Sequence, residues 1–297
     1  MGWANEVSAE IRSRRIDPMV DYAFKVLLGT EENKDVLLFF LNSVLKRSGE
    51  EVIVEVTLIN PYNDKAFSDD KLTVVDVKAR DARGHTYQIE VQLVVHAYLP
   101  YRMLYVWSQL YGKQLSEGDE FRTLKPVTSI WLVRGTVFES VKGYAHTAKF
   151  QDAETGAVLD KESAICILEV NKWARSGEVK DTRDEWLKFM WEARKMDLET
   201  LAESLSADFV RAVEALRPIR EREADYWHYQ ARLDYLRVQA TMKAVLEDTQ
   251  EELARKNQMV EEQAQALASK DQALASQAQE LAELRALLKK TGTPVTS

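Results

Sequence analysis

Apolar residues along this chain keep two rhythms, and the switches between them mark its elements. In "DPMVDYAFKVLLG", residues 17–29, apolar positions recur at helical spacing. The pattern predicts a helix with Asp17 as N-cap, Pro18 in the first helical position and Gly29 as the stop. "NKDVLLFFLNSVLK", residues 33–46, predicts a second, strongly apolar helix. Three runs rich in β-branched residues follow and read as strands: "VIVEVTLIN" (52–60), "KLTVVDVKAR" (71–80) and "HTYQIEVQLVV" (85–95). Helical spacing returns in "LPYRMLYVWSQLYGKQL", where Tyr101, Leu104, Tyr105, Ser108 and Tyr111 share a side. The three tyrosines there are expected to pack on the sheet. "VTSIWLVRG" is a fourth strand. Helix, three strands, helix, strand predicts an α/β fold, its mixed sheet antiparallel at the start and covered by helices. A further strand pair is expected around "DAETGAV", then helices from Thr182 to Met242 with a break or kink at Pro218.

The last segment differs in kind. Leu246, Leu253, Val260, Leu267, Leu274, Leu281 and Leu288 fall at every seventh position, and "QALASKD" is followed directly by "QALASQA". Such heptads predict a coiled coil. The second seam holds Gln250, Asn257, Ala264, Asp271, Ala278 and Arg285, which predicts weak association. The alternative is a long solvated helix with an apolar stripe. The expected layout is a core domain over 1–180, a helical extension over 181–245, a coiled coil over 246–290 and a disordered tail over 291–297.

Two acids interrupt the strand pattern. Asp76 and Glu90 each lie among valines and isoleucines, where an unpaired carboxylate is costly. "DARGH" fits a three-residue hairpin loop, Ala82-Arg83-Gly84, with Gly84 in the left-handed position. Counting inward from Asp81 and His85 sets Asp76 opposite Glu90, Cβ atoms about 4.5–5.5 Å apart. Two carboxylates so close repel, and a shared Mg²⁺ or Mn²⁺ removes the repulsion. The competing reading is a solvated sheet face, with Asp76 paired to Lys78 or a nearby Arg.

Composition narrows the chemistry. A net charge of -8 argues against a general polyanion binder. It leaves room for a local site where a cation supplies the positive charge. The single cysteine, Cys166, excludes an internal disulfide framework and sits in the apolar run "SAICILEV", so a buried, inert thiol is expected. The four histidines lack metal-ligand spacing. No apolar signal core opens the chain and no stretch suffices to span a bilayer, so a cytoplasmic protein is expected.

These segments, taken in order, resemble the PD-(D/E)xK nuclease superfamily, and within it the recombination-promoting nuclease/putative transposase family. The resemblance rests on "DPxxDxxFK" (Asp17–Lys25), "LxVVDVKAxDxxGxxYxIEVQ" (Leu72–Gln92), the aromatic helix from Tyr101 to Tyr111 and the "SIWLV" strand (Ser129–Val133). "ILEVNKW" (167–173) and "EWLKFM" (185–190) extend it. It implies a restriction-endonuclease-like core and metal-dependent hydrolysis of DNA phosphodiesters. Asp76, Glu90, the Val91 carbonyl and Asp21 would bind Mg²⁺ or Mn²⁺. Gln92 stands where the superfamily motif usually has Lys, although some of its branches carry Gln, and Lys78 is the candidate replacement cation. By sequence alone Asp21 could instead pair with Lys25 at i,i+4, and Lys78 with Asp76. Arg102 is a candidate phosphate contact. The partners implied are DNA and a second copy of the chain, joined through the heptads.

Overall fold

A computed structural model of the chain describes residue 11, residues 13–59 and residues 76–290. Residues 71–75 of the second predicted strand and the tail 291–297 lie outside the described residues, as do the side chains of Asp76 and Leu288. The described elements are α1 (Asp21–Leu28), α2 (Lys34–Leu45), β1 (Val56–Leu58), β2 (Asp76–Asp81), β3 (Thr86–Gln92) and α3 (Leu99–Gly112). They continue with β4 (Val127–Val133), β5 (Ala145–Ala148), β6 (Ala164–Glu169), α4 (Val170–Ser176) and α5 (Thr182–Glu192). α6 (Leu198–Glu203), α7 (Val210–Glu221) and α8 (Glu223–Lys290) follow.

Among the described residues the strands form one sheet in the order β1-β2-β3-β4-β6-β5. The β1–β2 and β2–β3 pairs are antiparallel, β3–β4 and β4–β6 parallel, and β5–β6 antiparallel. This is the mixed sheet with an antiparallel start that the sequence predicts. Every residue of β4 is buried, as a central strand covered on both faces requires.

α3 covers one face. Its Leu99 and Met103 pack with Trp131, Val133, Ile165 and Ile167. The expectation for its tyrosines was wrong: Tyr101 is 74% exposed and Tyr105 64%, while Tyr111 is only partly buried. The buried stripe is instead Leu99, Met103, Val106 and Trp107, the other arc of the same helix. Both arcs are apolar enough to bury, so periodicity alone did not choose between them. α1 lies over the opposite face, with Gly29 against the Val77 side chain. Beside it, Trp186 and Phe189 of α5 meet Phe39 and Phe40 of α2 and Phe209 at ring separations of 4.9–6.1 Å. Truncating the fully buried Trp186 to Ala would cost about 3–5 kcal/mol.

Asp17 is not a helix cap. Pro18 to Val20 form a turn, α1 begins at Asp21, and the N-cap position is Val20. Pro218 sits inside α7, and the break comes four residues later at Arg222, whose backbone is extended. The chain divides into two units, one up to Tyr235 and one from Leu236. In the first, the opening turns of α8 hold the N-terminal segment. The Asp17 N–H donates to the Tyr229 hydroxyl, the Tyr22 hydroxyl to Asp225, and Arg14 pairs with Glu223. In the second, Leu246, Leu253, Val260, Leu267, Leu274 and Leu281 are all exposed along the helix. Among the described residues no helix is long and apolar enough to cross a membrane.

Candidate active site

The hairpin that carries the two acids is set by its turn. Gly84 has φ of +87°, and its N–H donates to the Asp81 carbonyl. The Asp81 carboxylate accepts from the N–H groups of Arg83 and His85, both at 2.9 Å. The Asp81 N–H donates to the His85 carbonyl, so that pair is hydrogen-bonded and alternate pairs inward are too. The register reads Asp76↔Glu90, Val77↔Ile89, Lys78↔Gln88, as counted from the sequence. Asp76 and Glu90 therefore form a non-hydrogen-bonded pair, the closer kind, with Cα atoms about 4.5 Å apart.

Glu90 is buried, and both of its carboxylate oxygens accept from side chains. Gln88 donates its side-chain amide to Glu90 Oε2 at 3.1 Å. The Gln88 amide can point only that way, because its oxygen accepts from the Ser129 hydroxyl, which itself accepts from Trp131 Nε1 at 2.8 Å. Gln88, Ser129 and Trp131 are fully buried. On its other oxygen Glu90 takes Arg102 Nη2 from α3. Arg102 Nη1 donates to Gln92 Oε1 at 3.0 Å, and Gln92 Nε2 donates to the Val94 carbonyl at 2.7 Å. The Gln92 carbonyl accepts from the Arg134 N–H on the β4 side. Carbonyls alternate along a strand, so that of Val91 turns to the β2 side, where Asp76 stands.

Asp17 and Asp21 serve α1. Arg134 grips Asp17 with both terminal nitrogens, at 2.6 and 2.7 Å. Asp21 is tied to Arg232 of α8 and to the Tyr22 N–H. Burial raises its pKa above the ordinary value, against the pull of Arg232 and that N–H. The described contacts thus join Glu90, Gln92 and Arg102, and leave Asp21 with α8. Among the described residues, no three His, Cys, Asp or Glu side chains come close enough to hold a metal.

The sequence of residues 18–268 matches the model of the PD-(D/E)XK nuclease family transposases. The chain belongs to this family. No curated protein and no solved structure matches it. The nuclease transposase family links the chain to nucleic-acid cleavage and to mobile elements. PD-(D/E)XK nucleases typically use divalent metals. A carboxylate such as that of Glu90 is a hard oxygen ligand of the kind such ions take, although both of its oxygens here accept from Gln88 and Arg102.

Sequence reasoning did not find Gln88, Ser129 and Trp131, although each left a mark. Gln88 and Glu90 alternate on one face, and Ser129 is a polar residue two before Trp131 in an otherwise apolar strand. Cys166 is buried, as expected, and burial pushes its thiol pKa up.

Proposed function

We propose that this chain is a metal-dependent DNA endonuclease, linked to recombination or to a mobile element. The observation that carries the reading is the register that sets Asp76 opposite Glu90 in a chain of this nuclease family. In this reading Asp76, Glu90 and the Val91 carbonyl would hold Mg²⁺ or Mn²⁺. A cation held there would supply positive charge against the phosphate oxygens and lower the pKa of a nearby water. The water oxygen would bond to phosphorus as the bond to the leaving oxygen breaks, the water's proton passing to solvent and the leaving oxygen taking one up from solvent. Gln88, itself held by Ser129, keeps the Glu90 carboxylate aimed while this occurs. Gln92 orients its neighbours by hydrogen bonds, and Lys78, paired with Gln88 in register, adds charge on the β2 strand. Asp21 joins the site only by leaving Arg232. The catalytic domain comprises residues 1–180, extended by helices over 181–245. The heptads over 246–290 join two copies, giving two active sites for two strands.

A supercoiled-plasmid assay with Mg²⁺, Mn²⁺ or EDTA tests the reading. The parent nicks plasmid with either metal and not with EDTA. Asp76→Ala and Glu90→Ala stay folded by circular dichroism and do not cut. If both variants cut like the parent, the active site lies elsewhere. A parent that binds DNA without cutting would instead be a binding module on a nuclease fold, the reading Gln92 favours.

A further inference from the structure

The superfamily motif usually places a lysine where this chain has Gln92, and an amide cannot supply a positive charge. The structure supplies one from a different element. Arg102, one turn into α3, donates to Gln92 Oε1 at 3.0 Å through Nη1 and to Glu90 through Nη2. Its guanidinium carbon also lies 5.5 Å from the centre of the buried Trp131 ring. These contacts fix the guanidinium between the motif acid and the residue that replaces the lysine. Gln92 is itself locked, because its amide nitrogen is spent on the Val94 carbonyl. Its oxygen therefore faces Arg102.

Building on the nuclease reading above, we propose that Arg102 is the phosphate-contacting cation of this site, doing from α3 what a lysine at position 92 would do from β3. Gln92 then becomes a positioning residue for Arg102. Arg102 is fitted to the task. Its neighbours Leu99 and Met103 anchor the helix in the core, yet its side chain is 41% exposed. A guanidinium has five N–H donors, and the contacts to Gln92 and Glu90 engage two, one on each terminal nitrogen. Arginine stays charged at all working pH, so it stabilises developing negative charge without serving as a base.

The test moves the charge back. Parent, Arg102→Gln, Gln92→Lys and the double variant Arg102→Gln/Gln92→Lys are compared by plasmid cleavage in Mg²⁺. The same proteins are titrated with a fluorescent DNA duplex by anisotropy in Ca²⁺ over a salt series. Arg102→Gln is expected to lower kcat by about 10²–10³-fold, the loss typical when one charge-stabilising donor is removed. It should also flatten the salt slope of binding by about one phosphate contact. The double variant, with its charge restored at position 92, should regain cleavage and slope. A rate and slope unchanged by Arg102→Gln overturn the assignment while leaving the nuclease reading intact. Losses that the lysine does not restore also overturn it, and reduce Arg102 to a clamp on Glu90. If the parent cuts nothing, the nuclease reading fails, and the salt slopes alone decide whether Arg102 meets a phosphate.

Discussion

Replacing Asp17 by Ala removes one half of the clasp that ties α1 to the end of β4. The carboxylate accepts two Arg134 N–H groups at 2.6 and 2.7 Å and the Met19 N–H at 3.0 Å. Its side chain is 10% exposed and that of Arg134 16%, so the pair is not one of the solvent-screened kind that contributes little. Removing one partner of a buried pair costs about 3–5 kcal/mol, because the other charge stays behind without compensation. Water reaches part of the Arg134 guanidinium, which puts the expected loss at the low end, about 3 kcal/mol. For a folded unit of this size that lowers Tm by about 6–12 °C. Urea denaturation followed by tryptophan fluorescence measures it on the parent, Asp17→Ala, Arg134→Met and the double variant. Once methionine has replaced the guanidinium, no buried charge is stranded, so the double variant should recover about 2 kcal/mol relative to the sum of the singles. A loss below about 1 kcal/mol in Asp17→Ala, or strictly additive singles, refutes the reasoning.

Burial holds the His85 imidazole down at about 4, from an ordinary 6.5. Above 6.5 neither state is charged. As pH falls from 6.5 to 4 only the unfolded chain takes the proton, so about 3 kcal/mol of stability is lost across that window. His85→Gln should remove that slope from urea midpoints measured against pH, and an unchanged slope would assign it to other groups. Tyr101→Ser and Tyr105→Ser should each shift denaturation free energy by less than about 0.5 kcal/mol, because both rings are exposed. A loss of about 2 kcal/mol in either would show that the ring is packed. Truncation after Val245 should leave a folded catalytic unit with reduced self-association and less double-strand cutting, read by sedimentation and plasmid linearisation. If both lengths sediment with the same oligomeric state, the heptads are a spacer or bind another partner.

The hairpin register was legible because the turn is local: "DARGH" fixes the loop, and the loop fixes every pair inward to Asp76 and Glu90. The order of helices and strands was legible for a similar reason, since each element carries its own periodicity. What escaped depends on contacts between elements distant in sequence. Arg102 meets Glu90 only because α3 folds back over β3, and nothing in "YRMLYVWSQLY" says which arc of the helix turns inward. Asp17 reads as a cap in its local window, yet its strongest partner is Arg134, 117 residues away. The Ser129–Gln88–Glu90 chain likewise needs the parallel pairing of β3 with β4, which no local pattern encodes.

The contacts between the N-terminal segment and α8 bear on the order in which the protein is made. Arg14 to Glu223, Tyr22 to Asp225 and Asp17 to Tyr229 span 209, 203 and 212 residues. A ribosome adding about 5–20 residues per second makes Asp17 roughly 10–40 s before Tyr229. Once Glu90 has been added, and until α8 is made, the nascent chain holds the hairpin with its two acids, while Asp21 has no Arg232 and Tyr22 no Asp225. A message cut short before Glu223 therefore yields a chain in which Asp21 of the first helix never gains Arg232. Completion of the first unit is tied to translation reaching α8.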